Sequence, residues 1–107
     1  MSIFSSGKKS LTDLSAEDFK SNMDKDPKAV LLDVRTAGEV AEGTIGDAMI
    51  IDFFSPNFKE EAKKLSKEKN YYVYCRSGNR SGQAVRFMEG EGFTAFNLEG
   101  GVMSWPF

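Results

Sequence analysis

A regular alternation of strand and helix signals runs through this chain and leaves it few architectures. Leu11-Thr12 reads as part of a short first strand. Ser15 is placed to cap a helix opening at Ala16-Glu17-Asp18, with Asp18 at the capping-box position. Ala29-Val30-Leu31-Leu32 and Ala48-Met49-Ile50-Ile51 are continuous apolar runs, as expected of strands buried on both faces. Phe58 to Leu65 reads as a charged surface helix with Phe58, Ala62 and Leu65 turned inward. Tyr71 to Tyr74, aromatic and β-branched, reads as a fourth strand and Phe93 to Phe96 as the last. Between these two, Ala84, Val85 and Met88 share one helical face, and Gly92 suits the position just past that helix. Strands alternating with helices imply an α/β fold: a central, mostly parallel five-stranded sheet with helices on both faces.

At 107 residues the chain suits one domain with a modest core. Its net charge of −2 gives no electrostatic reason to expect nucleic acid or an anionic membrane as partner. The lysine-rich stretch from Lys59 to Lys69 is offset by Glu60, Glu61 and Glu68 and reads as a solvated face. Residues 1–10 lack the apolar core of a secretory signal and read as a short N-terminal leader to a domain at 11–107. No segment approaches the ~20 apolar residues of a membrane span. The expected location is therefore cytoplasmic, where thiols stay reduced.

The chemistry centres on one cysteine. Cys75 ends the Tyr71–Tyr74 run, and the polar turn Arg76-Ser77-Gly78-Asn79 leads into a helix near Arg80. A thiol at the C-terminal end of a strand, facing the next helix N-terminus, sits where open α/β sheets place their sites. Helix N-termini and guanidinium groups lower a thiol pKa from about 8.5 to roughly 3.5–7.5. Backbone N–H groups in a tight turn form an anion-binding nest. A buried packing role is the common fate of a free cysteine, but packing alone does not call for two flanking arginines and a glycine. With one Cys and no His, the sequence offers no internal disulfide, no usual metal-ligand set and no Cys–His pair. No cofactor or metal is expected.

Cys75-Arg76-Ser77-Gly78-Asn79-Arg80-Ser81 resembles the active-site loop of single-domain rhodanese-like sulfurtransferases. Three further passages carry the resemblance in order. Leu31-Leu32-Asp33-Val34-Arg35, followed by Glu39, is similar to the family's Asp-Val-Arg element. Gly43-Thr44-Ile45-Gly46-Asp47-Ala48 is similar to its Gly-His-Ile…Gly-Ala turn, with Thr44 and Asp47 as departures. Leu98-Glu99-Gly100-Gly101 through Trp105 is similar to its closing Gly-Gly…Trp segment.

The resemblance implies a single rhodanese-like domain. Cys75 would attack the outer sulfur of a small anionic donor such as thiosulfate and keep a persulfide. Loop N–H groups from Arg76 to Ser81 would hold the sulfur charge, and Arg80 with Arg76 would attract the donor. The acceptor would be external: cyanide, a small thiol or a partner protein's cysteine. Asp33 and Arg35 should share the sheet edge with Cys75, either lining the site or tying down a loop. In the second case Arg35 would pair with Asp33 or with Glu39. Trp105 and the glycines before it read as a lid on the core. A persulfide carrier or docking module would use the same residues. A Cys-dependent phosphatase or arsenate reductase fits less well, because four residues separate Cys75 from Arg80 where such phosphate loops have five.

Overall fold

A computed structural model describes residues 11–107; the expected leader at 1–10 lies outside the described residues. The elements follow the alternation: β1 (Asp13–Leu14), α1 (Ala16–Lys25), β2 (Ala29–Asp33), α2 (Ala37–Val40), β3 (Met49–Ile50), α3 (Phe58–Lys63), β4 (Asn70–Tyr74), α4 (Asn79–Gly90) and β5 (Thr94–Leu98). A 3-10 turn at Val102–Ser104 follows. Every strand pair is parallel, and the order across the sheet is β1-β5-β4-β2-β3.

Alternate residues of each inner strand feed two separate cores. Val30, Leu32, Val34, Tyr71, Val73, Cys75 and Ala95 face Phe58 and Ala62 of α3 and Ala84, Val85 and Met88 of α4. Leu31, Tyr72, Tyr74, Phe96 and Leu98 face Phe19 of α1 and Trp105. This period of two on both faces is what a parallel sheet wrapped by helices requires. Helix α1 starts as expected, with the Ser15 hydroxyl accepting from the Asp18 N–H at 3.2 Å. Helix α4 stops as expected at Gly92, whose φ of +93° lets the Gly92 and Phe93 N–H groups bond back to Glu89 and Met88.

Three strand expectations need correction. The first strand is Asp13–Leu14, not Leu11-Thr12: Leu11 is 97% exposed, and Leu14 is the residue that packs beneath Phe19. The run around Met49 is an edge strand of two residues, 42% and 41% exposed, because among the described residues it has β2 on one side and no strand on the other. Phe93 belongs to the helix-ending turn, so the last strand begins one residue later and continues to Leu98. No helix among the described residues is long and apolar enough to cross a membrane.

Candidate active site

The strand order creates one crevice. From β2 the chain moves outward to β3 at one edge, and from β4 it moves the other way to β5, yet β2 and β4 are neighbours. Loops leaving their C-terminal ends therefore part from each other, which is where open α/β sheets hold ligands. Cys75 directly follows β4; Asp33 ends β2 and Arg35 lies two residues beyond it. The three expected residues thus share one sheet edge.

The turn after Cys75 folds back on its sulfur. Gly78 adopts φ +100°, and its N–H donates to the Cys75 Sγ at 3.1 Å. The Ser81 N–H and hydroxyl donate to the same atom at 3.4 and 3.3 Å. Gly78 is the N-cap of α4 and has no side chain to cap it. The sulfur therefore takes the place of a capping oxygen, accepting from a first-turn N–H that would otherwise lack a partner. Cys75 has no exposed surface. Burial pushes the thiol up, but the Ser81 hydroxyl and the Ser81, Gly78 and Ser77 N–H groups outweigh it and hold the thiol below its ordinary value. Arg76, Ser77 and Asn79 are exposed, so the loop's outer surface faces solvent and the sulfur lies beneath it.

Two braces fix this loop. Behind it, the Val102 N–H bonds the Cys75 carbonyl at 2.9 Å and the Met103 N–H bonds the Arg76 carbonyl at 3.1 Å. With both carbonyls held outward, the following N–H groups turn inward. Such close approach needs glycine: a Cβ on Gly101 would stand 2.2 Å from the Arg76 oxygen, and one on Gly78 would stand 3.2 Å from the Gly100 nitrogen.

The second brace begins at β2. Arg35 binds Asp33 through Nε and one terminal nitrogen, at 3.0 and 2.8 Å, and also reaches the Glu39 and Gly43 carbonyls. Arg35 and Asp33 therefore bind each other and hold the 39–43 turn. The Glu39 carboxylate does not pair with Arg35. It closes a capping box with Thr36 and grips Arg80 with two bonds, at 2.8 and 2.9 Å. Arg80 and, after it, the Thr36 N–H and hydroxyl hold the Glu39 carboxyl down at about 2 against the opposing effect of burial. Tyr74, just before Cys75, accepts from the Ile45 N–H at 2.9 Å and lies under the Arg35 guanidinium, so the 43–46 turn is anchored to the same strand end. Thr44 closes that turn with a bond from its hydroxyl to the Gly46 carbonyl at 2.9 Å.

Sequence reasoning missed the reach of Glu39 to Arg80, 41 positions away. Half of the signal was present, since Thr36-x-x-Glu39 is a capping-box pattern. Trp105 is half-buried, meets the Phe19 ring edge-on at 5.9 Å, and borders a cleft of about 380 Å³ with Arg35, Thr44 and Val102. It is the expected lid, but that cleft does not include Cys75.

Comparison with known proteins agrees with this architecture. The family model described as the rhodanese-like domain matches residues 15–106. A Bacillus subtilis protein provisionally named sulfurtransferase YtwF is 36% identical over 95 residues, covering 89% of this chain and 90% of the relative. A sulfurtransferase of Allochromatium vinosum is 28% identical over 96 residues, covering 89% and 88%. The crystal structure of a rhodanese-related protein from Thermoplasma volcanium superposes with a TM-score of 0.76 at 33% identity, covering 87% of this chain and 88% of that one.

Proposed function

Because the chain belongs to the rhodanese-like domain family, we propose that it is a sulfurtransferase carrying a sulfane sulfur as a persulfide on Cys75. The reading takes residues 11–107 as one domain acting in the cytosol. The observation that carries it is the set of N–H and O–H donors from Gly78 and Ser81 converging on one buried sulfur. Such a cradle favours an anion centred on sulfur and disfavours the neutral thiol.

In the first half-reaction the Cys75 thiolate attacks the outer sulfur of thiosulfate. A sulfur–sulfur bond forms to Cys75 while the bond to the sulfonate sulfur breaks, and its electron pair leaves with sulfite. The negative charge of the thiolate passes to the outer persulfide sulfur, so loop donors face an anion before and after the step. In the second half-reaction a thiophile attacks that outer sulfur and Cys75 leaves as thiolate, giving ping-pong kinetics. The sequence holds one cysteine, so the acceptor is external: cyanide in an assay, and a small thiol or a partner protein's cysteine otherwise. The phosphatase alternative is disfavoured by Arg80, whose guanidinium is already committed to Glu39.

The test is intact mass after incubation of the reduced protein with thiosulfate. Gain of one sulfur, lost on adding cyanide and absent from Cys75→Ser, is the expected result. A protein that gains nothing, or a Cys75→Ser variant that still gains sulfur, refutes the assignment. Repeated turnover with free cyanide separates an enzyme from a carrier that loads once.

A further inference from the structure

Two guanidinium groups bracket the Cys75 loop, and their surroundings differ. Arg80 gives both terminal nitrogens to the Glu39 carboxylate and lies 5.3 Å over the Phe54 ring. Glu39 is itself held by the Thr36 N–H and hydroxyl, at 3.1 and 3.0 Å, and its backbone carbonyl by Arg35. Arg80 is thus the end of a chain of contacts that starts at β2, and a carboxylate at contact distance cancels its charge. Arg76 is the opposite case. Its backbone is fixed by the Met103 N–H, while its side chain is exposed and has no ion-pair or hydrogen-bond partner among the described residues.

Resting on the sulfurtransferase reading, we propose that the two arginines divide the work: Arg76 recruits the anionic sulfur donor, and Arg80, locked by Glu39, is a positioning residue. A paired charge acts on a distant anion as a dipole, whose field falls off faster than that of an isolated charge. Arg76 acts as an isolated charge out to the screening length of about 8–10 Å at moderate salt. Arg80 works through its neighbour in sequence. Holding Arg80 fixes the first turn of α4 and so keeps the Ser81 N–H and hydroxyl aimed at Sγ. Cys75 and, after it, Asp52 also act electrostatically on Arg80; Asp52 reduces further what that side contributes to attracting a distant anion, while the charge of Arg80 adds to the positioning of the Cys75 sulfur.

The experiment measures the second-order rate of persulfide formation from thiosulfate as a function of sodium chloride. It compares the full chain with Arg76→Gln and with the double variant Glu39→Gln/Arg80→Gln, which removes one charge of each sign. Arg76→Gln should load about tenfold more slowly at low salt, the lower end expected for lost electrostatic steering. Its salt dependence should flatten, with the melting temperature and the pH profile of loading unchanged. The double variant should keep the original salt dependence while its pH profile moves to higher pH, because Ser81 is held less firmly. The proposal is overturned if Arg76→Gln loads at the original rate, or is slowed equally at all salt concentrations. If the double variant does not fold, Arg76→Gln alone decides. An unmodified chain that takes no sulfur from thiosulfate overturns the sulfurtransferase reading itself, a result visible before any variant is made.

Discussion

Replacing Gly101 by alanine should unseat the Cys75 loop from behind. The Gly101 backbone sits at φ +65°, ψ −166°, a region that side chains other than hydrogen occupy at about 1–3 kcal/mol. The added Cβ would meet the Arg76 oxygen at 2.2 Å, the Arg76 carbonyl carbon at 2.4 Å and the Ser77 nitrogen at 2.5 Å. All three are backbone atoms, so no side chain can rotate away. Since non-bonded carbons rest at about 3.5–4.0 Å, the loop must retreat by roughly 1 Å. Overpacking of this kind adds about 1–3 kcal/mol. The total, about 2–6 kcal/mol, is a large part of the 5–15 kcal/mol that typically holds a domain together. Retreat also breaks the bonds from Val102 and Met103 to the Cys75 and Arg76 carbonyls, so the donors on Sγ lose their aim. Urea unfolding should show the lost stability, and thiolate absorbance near 240 nm should show the Cys75 pKa rising. Gly90→Ala is the control: nothing lies within 4 Å of its Cβ, and it should be neutral or slightly stabilising. A Gly101→Ala variant within about 0.5 kcal/mol of the parent, with an unmoved thiol titration, would show that the brace is not what shapes the loop.

Two further outcomes are expected. Ser81→Ala removes one hydroxyl donor from Sγ while leaving the backbone N–H in place; losing a hydrogen bond to a charged group, worth about 1.5 kcal/mol, should raise the Cys75 pKa in the same titration, and an unmoved titration would contradict the contact. Glu39 is depressed from 4.5 to about 2 chiefly by Arg80, so its contribution to stability is full above pH 4.5 and is lost as pH falls toward 2. The stability gap between the parent and Glu39→Gln, measured by denaturant titration at several pH values, should therefore close across that window; a gap independent of pH contradicts the ion pair.

What the sequence made legible was mostly local. The Ser15 cap, the Gly92 stop and the inward face of α4 depend on residues within one or two turns, and each appears where the pattern placed it. The cysteine loop was readable for the same reason, since strand end, turn and helix start are contiguous. Edge and centre were not readable: Met49-Ile50 and Leu31-Leu32 are equally apolar, and only the strand order decides that the first pair stays exposed. The fate of Arg80 was hidden too. In the sequence a guanidinium beside a thiol has no visible partner, because the Glu39 carboxylate that grips it lies 41 positions earlier and the fold alone brings α2 against it.

On the proposed reaction, that long-range brace would let one loop serve two charge states. The Ser81 donors and the Gly78 N–H point at Sγ. The N–H groups of Asn79 and Arg80, the first two of α4, have no partner among the described residues. On the proposed reaction the negative charge moves outward by one sulfur–sulfur bond, about 2.0 Å. The inner sulfur then becomes a weak acceptor, and the outer one needs donors of its own. A helix start supplies them without rearrangement, because its first turn always carries more N–H groups than one cap can satisfy. Bracing by Gly101 on one side and by Glu39 on the other would keep those groups in place while the charge shifted between sulfurs. A looser loop could follow the charge, but it would have to reorganise at each half-reaction, which is the barrier that preorganised donors remove.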